Sequence, residues 1–220
     1  MQNVSQRWGE IHKSIDAVSK GRTITVIGVS KFQSSENLQE AIRVGLVDIG
    51  VNYAQDGELL RHRFASDKLR WHFIGHIQSR KVKYLTEYDC IQSIDRIEIA
   101  NHLDKRVQEL GRKIEVLVEV NIAGEPQKSG VTPLVLPVFL NQLAQCQNLT
   151  IKGLMAMPPA HPLSEDRRVY FRGLFELFET HRGKYSLEVL SMGTSEDYLI
   201  AISEGATMVR LGTSLFGPRK

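Results

Sequence analysis

An alternation of short apolar runs with amphipathic stretches, repeated eight times, constrains this chain more than any other feature. The runs at 24–29, 47–51, 71–74, 90–92, 114–120, 151–155, 187–190 and 207–211 read as strands. Stretches 35–44, 54–65, 77–86, 96–110, 132–146, 164–182 and 195–204 between them read as helices. Runs that are almost continuously apolar suit strands buried on both faces, as in a parallel sheet with right-handed helical crossovers. Eight such units close into a barrel, so the expected fold is α/β, a single (β/α)8 TIM-type barrel forming one domain over 1–220. An open doubly wound sheet is the alternative. Ahead of the first strand, Val4, Trp8, Ile11, Ile15 and Val18 recur at spacings of 4, 3, 4 and 3, which predicts an extra N-terminal helix over 1–20. Pro137 is expected to shorten or bend the helix at 132–146. The Pro-rich stretch 157–166 reads as a loop.

Composition narrows the function classes. A net charge of +3, from scattered lysines and arginines, gives no nucleic-acid tail and no membrane-surface patch. Cys90 and Cys146 stand far apart, which suits reduced thiols rather than a disulfide framework. The N-terminus has no apolar leader, and no stretch approaches a membrane span. The chain is therefore expected to be cytoplasmic, with no membrane and no nucleic-acid partner. A lone barrel without a sticky stripe is expected to be a monomer.

In such a barrel the chemistry sits at the C-terminal ends of the strands. Lys31 directly follows the first strand and shares parity with Ile27 and Val29, so it can face the interior. An amine among apolar walls loses part of its preference for charge and becomes nucleophilic. The segment SMGTS at 191–195 follows the seventh strand and is expected to open a helix. Ser191, Gly193, Thr194 and Ser195 there offer hydroxyls and close-approaching N–H groups to an anion. RLGTS at 210–214 follows the eighth strand with Gly212, Thr213 and Ser214. Barrels often hold phosphate with these two loops. Arg210 interrupts an apolar strand and needs a partner or a ligand acceptor. Asn52 ends the second strand on the same face. His72 and His76 are too far apart along an extended segment for shared metal ligation, and His72 reads as a hydrogen-bonded core residue. Met155 and Met157 read as packing residues. Neither cysteine has the neighbours of a catalytic thiol.

Taken together, VSK (29–31), the NY of VNYAQD (52–53), WHFIGHIQSRK (71–81), QKSG (127–130), GLMAM (153–157), SMGTSEDY (191–198) and MVRLGTSLFG (208–217) resemble the YggS/PROSC family of pyridoxal 5′-phosphate (PLP) homeostasis proteins. The resemblance runs from about residue 4 to 217. It implies a PLP-binding barrel like the N-terminal domain of alanine racemase, with PLP as cofactor, held as an internal aldimine on Lys31. It implies that Ser191, Gly193, Ser195, Gly212 and Thr213 hold the phosphate. Arg210 then faces the pyridine nitrogen, and Asn52 lies near the ring. No established catalysis defines the family, whose members are thought to buffer or deliver PLP, so apo PLP-dependent enzymes are candidate partners. One departure stands out: the family commonly has a glutamate where this chain has Val51.

The residues also bear on carrier against enzyme. An arginine at the pyridine nitrogen disfavours protonation there, which makes the ring a poorer electron sink. The chain is also expected to lack a second domain to close the pocket. The expectation is a carrier. The competing readings are a PLP-dependent racemase or lyase with an open site, and a phosphosugar barrel enzyme without PLP.

Overall fold

In a computed structural model, residues 2–65, 68–160 and 163–218 are described, so two residues of the Pro-rich loop lie outside them. The eight apolar runs become β1 (Thr25–Val29), β2 (Asp48–Val51), β3 (Arg70–Phe73), β4 (Cys90–Ile94), β5 (Ile114–Glu119), β6 (Leu149–Met155), β7 (Val189–Thr194) and β8 (Met208–Leu211). All pairings are parallel, each strand bonds its successor, and β8 returns to β1. At the closing seam Ile27 stands opposite Arg210 on one side and Asp48 on the other. The sheet is therefore a closed barrel and not the open alternative.

Alternation along each strand divides the molecule into two cores. Outward residues such as Ile49, Trp71, Ile91, Val116, Leu154 and Val209 pack in one large cluster with helical side chains such as Leu38, Leu103, Leu140 and Phe171. On the inward face Cys90, Leu117 and Met155, with Val189 against them, form a separate small apolar cluster, and Ile27 and Met208 are buried there too. The remaining inward positions are largely polar. Val51 has the parity of Ile49 and is 1% exposed within the outer core. The position at which the family's glutamate is replaced thus faces the helix layer, away from the barrel interior.

Helices α1 (Val4–Ser19), α2 (Ser35–Arg43), α3 (Ala54–Arg63), α4 (Ile97–Glu109), α5 (Leu136–Leu143), α6 (Arg168–Tyr185), α7 (Tyr198–Ser203) and α8 (Thr213–Phe216) surround the barrel. The N-terminal helix is present. Asn3 caps α1 in a reciprocal pair with Gln6, and Val4, Ile11 and Ile15 are buried, with α2, α7 and α8 packed against the helix. Four elements differ from their sequence readings. The stretch 77–86 forms only a short 3-10 segment, Ser79–Tyr84. The helix read from 132 starts at Leu136, which puts Pro137 in its first turn, where no N–H is required and no bend results. The helix read from 195 begins at Tyr198, so SMGTS belongs to β7 and the turn after it. The four-residue α8, directly after β8, has no apolar period long enough to be read from sequence. Among the described residues no helix is long and apolar enough to cross a membrane.

Candidate functional site

The strand ends of β1 and β2 place Lys31 and Asn52 side by side, because Val29 pairs with Gly50 and both chains continue in step. Ser30 ties the two together, its N–H and its hydroxyl both donating to the Gly50 carbonyl at 2.9 Å. Lys31 Nζ lies 5.0 Å from the ring centroid of Phe32 and 5.1 Å from that of Tyr53. The walls around the amine are therefore two exposed aromatic rings, which hold a cation over their faces, rather than the apolar barrel interior read from sequence. The Asn52 Oδ1 atom is buried and has no hydrogen-bond partner among the described residues. A buried acceptor left open in this way costs free energy unless a ligand donor meets it.

The loops after β7 and β8 converge. Ser195 Oγ accepts from the backbone N–H of Gly212 at 3.0 Å and of Ser214 at 3.1 Å, and the Ser214 hydroxyl lies 3.1 Å away. The two N–H groups fill both lone pairs of that oxygen and are committed to Ser195, whose own hydroxyl proton can go to Ser214 Oγ or to an incoming anion. A Cβ added at Gly212 would meet nothing nearer than Val29 Cβ at 4.0 Å, so the space over this loop is open. Thr213, the first residue of α8, is exposed beside it. Gly193 has φ +93°, and a Cβ there would come within 2.6 Å of Ala201 Cβ, so only glycine lets the turn lie against α7. The turn itself is held by Asp197, whose carboxylate accepts from Thr194 N at 2.6 Å and from Thr194 Oγ1 at 3.1 Å. The Thr194 N–H is therefore committed to Asp197, and the helix N-terminus expected at 195 is absent from this loop.

Ser191 does not join that group. It is fully buried, donating to Gln92 Oε1 at 2.7 Å and accepting from Arg210 Nη1 at 2.5 Å. The phosphate role that the resemblance implied for Ser191 thus gives way to a contact with Arg210. Arg210 also donates through Nη2 to the Ala156 carbonyl at 2.9 Å. Burial pushes its guanidinium down to about 10, against the opposing charges of Glu119 and Asp197, so it remains a cation at neutral pH. His72 is a hydrogen-bonded interior residue, as read from sequence, between Asp48 and Gln92. His76 meets Ser129, and among the described residues no group of three His, Cys, Asp or Glu side chains could hold a metal. Met155 is buried in the inner cluster, whereas Met157 is exposed. Both thiols are buried, which pushes Cys146 up to about 11 and Cys90 higher still.

Glu119 went unnoticed in the sequence because it ends an otherwise apolar strand. It has the inward parity of Leu117 and shares the interior with Arg210. Burial pushes its carboxyl from 4.5 up to about 7, the negative charge of Asp95 adds to the rise, and Arg210 opposes it. A folded-state value above the unfolded one means that ionisation weakens the fold. No such cost exists below about pH 4.5, and all of it is present above about pH 7. Glu119→Gln should remove that loss, which is at most roughly 3 kcal/mol. Denaturant midpoints measured across this pH window should fall less in the variant than in the wild type, and equal slopes would rule the assignment out.

A lysine at the end of β1 and an anion-ready pair of loops after β7 and β8 are the marks of one group of barrels. The family model described as the alanine racemase N-terminal domain matches residues 16–220, and the chain belongs to that family. Within it the chain stands with the pyridoxal phosphate homeostasis proteins. It is 38% identical to that of Aquifex aeolicus over 100% of this chain and 98% of the relative. Identity to that of Pseudomonas aeruginosa is 36%, over 99% and 95% of the two chains. Among solved structures, PipY of Synechococcus elongatus PCC7942 without PLP superposes with a TM-score of 0.89 at 30% identity, covering 98% of this chain and 100% of that one. PipY with PLP bound gives 0.87 at 28%, with the same coverage. An alanine racemase of Clostridium difficile 630 shares the fold, with a TM-score of 0.71 at 14% identity over 93% of this chain and 55% of its own.

Proposed function

We propose that this protein binds PLP and acts as a carrier or buffer in PLP homeostasis, as one domain over residues 1–220. One observation carries the reading: the Lys31 amine and the open Asn52 acceptor stand at one side of the closing seam, and the Ser195 hydroxyl, with open space over Gly212, stands at the other. The relatives named pyridoxal phosphate homeostasis proteins, and PipY with PLP bound, support it. When bound, PLP supplies an aldehyde that condenses with a primary amine, with loss of water, and a pyridine ring that can accept electron density.

Each residue then has a task at a stated atom. Lys31 provides the amine, oriented by Phe32 and Tyr53. Asn52 Oδ1 would accept a hydrogen bond from a donor at the ring's edge. The Ser195 hydroxyl and the Thr213 backbone would receive the phosphate, Gly212 leaves room for it, and Gly193 keeps the β7 turn in place. Arg210 meets the pyridine nitrogen as a fixed cation, so a second positive charge on that nitrogen is disfavoured. A ring held in that state is a weak electron sink, which favours holding PLP over carbanion chemistry. Ser191 supports Arg210 and does not touch the ligand.

The test is transfer. Loaded protein mixed with an apo PLP-dependent enzyme should reactivate it faster than the same concentration of free PLP. Equal rates would leave buffering without delivery. Stereospecific α-proton exchange on amino acids at useful turnover, lost in Lys31→Ala, would replace the carrier by a racemase or lyase. Ser195→Asp examines the phosphate loop directly. It sets a second negative charge beside the phosphate and should weaken PLP binding about tenfold or more. An unchanged affinity in titration removes Ser195 from the site.

A further inference from the structure

Five polar side chains cross the barrel interior in single file. Arg210 Nη1 donates to Ser191 Oγ at 2.5 Å, and the Ser191 hydroxyl donates to Gln92 Oε1 at 2.7 Å. Gln92 Nε2 donates to His72 Nδ1 at 3.2 Å, and His72 Nε2 donates to Asp48 Oδ1 at 2.8 Å. The direction is set at both ends. A guanidinium has no acceptor, and a carboxylate has no donor. Ser191 must therefore accept from Arg210 and give its proton to Gln92. The Gln92 amide then presents its NH2 to His72 Nδ1, and His72 Nε2 faces Asp48. Each link joins a donor to an acceptor, and the file runs from a cation to an anion.

This file is buried almost throughout. Ser191, Gln92 and His72 are 0% exposed and Arg210 is 4% exposed. Interrupting it leaves unmatched polar groups in a low-dielectric interior, and linked hydrogen bonds there strengthen one another. Three of its members, Asp48, His72 and Gln92, have no task in the cofactor site as derived above.

We propose that Asp48, His72, Gln92 and Ser191 are positioning residues that fix the direction of Arg210, and through it the way the protein meets the pyridine nitrogen of PLP. The proposal rests on the reading that Arg210 faces that nitrogen. Its Nη2 contact to Ala156 O holds one side of the guanidinium, and Ser191 holds the other. With the file intact the guanidinium has one orientation, and with a link removed it is free to turn about the Ala156 contact.

The experiment compares absorption spectra of the PLP-loaded protein across pH, together with PLP affinity by titration. The variants are Ser191→Ala, Gln92→Leu, their double variant, Ser191→Thr, and Arg210→Ala as the reference. Arg210→Ala should change the spectrum and its pH profile. Ser191→Ala and Gln92→Leu should each move both in the same direction, with affinity lowered about 3- to 10-fold. The double variant should be no worse than the worse single, since both break one file. Ser191→Thr restores the hydroxyl and should restore the spectrum. Ser191→Ala removes one oxygen only and is decisive even where Gln92→Leu fails to fold.

A shifted Arg210→Ala with wild-type spectra in Ser191→Ala and Gln92→Leu would overturn the proposal while leaving the Arg210 reading intact. Additive effects in the double variant would overturn it too. An Arg210→Ala spectrum equal to wild type overturns the reading of Arg210 itself, and the proposal with it. A loss of inorganic phosphate affinity in Ser191→Ala as large as its loss of PLP affinity would return Ser191 to the phosphate site and reject the file.

Discussion

Lys31→Ala is expected to fold normally and to lose covalent attachment of PLP altogether. Lys31 lies past the end of β1, and among the described residues its amine contacts the rings of Phe32 and Tyr53, so truncation leaves no described buried polar partner unmatched. Cation–π contacts at exposed rings contribute about 0.5–1 kcal/mol, too little to endanger the barrel. The loss falls on the ligand. Without the amine, only the phosphate loops, Asn52 and Arg210 remain to hold PLP. Affinity should drop by about a hundredfold or more, close to 3 kcal/mol. The check is borohydride treatment of protein mixed with PLP, followed by peptide mapping. In the wild type the adduct should lie on the peptide containing Lys31. An adduct of equal yield in the variant, or one mapped to another lysine of the wild type, would sink the assignment.

The second large effect concerns stability. Asp197 is 4% exposed and accepts from Arg167 Nη1 at 2.7 Å, while Arg167 is itself buried and also reaches Glu196 at 2.9 Å. The same carboxylate holds the Thr194 turn. Replacing Asp197 by alanine takes the buried carboxylate away from Arg167 and frees the backbone of the loop that carries Ser195. Removing one partner of a buried pair typically costs about 3–5 kcal/mol. Asp197→Ala should therefore lower the denaturant midpoint by that equivalent, and PLP affinity should fall with it through the loosened loop. Arg167→Met offers the comparison, since it removes the cation and leaves the turn contacts in place. It should affect stability more than ligand affinity. Equal losses of affinity in both variants would mean that the turn has no special part in the site.

The barrel was legible because strands in a parallel sheet are apolar on both faces, which leaves eight uninterrupted runs in the sequence. Lys31, Asn52, Ser195 and Gly212 were legible for a related reason. They follow those runs directly, and barrel geometry puts strand ends at one mouth. What escaped notice lies inside the runs. Asp48, Gln92 and Glu119 each occupy an inward position of a strand read as part of a dry core, and only their shared parity with Gly50, Cys90 and Leu117 marks them. Arg210 drew notice as a charge among apolar neighbours, but its partner Ser191 was assigned to the phosphate because the motif around it is continuous. In the structure β7 runs on to Thr194, so Ser191 lies three residues inside the end of the strand. Arg167 and Asp197 are thirty residues apart in the chain, and no local pattern joins them. The helix expected at 77–86 shrank to one 3-10 segment because apolar spacing alone does not set its length.

The pairing of Ile27 with Arg210 has a consequence for the order in which this molecule can become competent. The amine and Asn52 arrive with the first two strands, while Ser195, Arg210 and Gly212 arrive with the last two. They are brought to their final places when β8 docks on β1, with α7 and α8 packed on α1. The ligand therefore senses the final step of assembly. A chain still short of β8 has half a site at each end of an open sheet. Binding energy shared across the seam acts as a clasp between the two ends of the polypeptide, and amide protons along β1 and β8 should be the ones that saturation with PLP slows most in exchange.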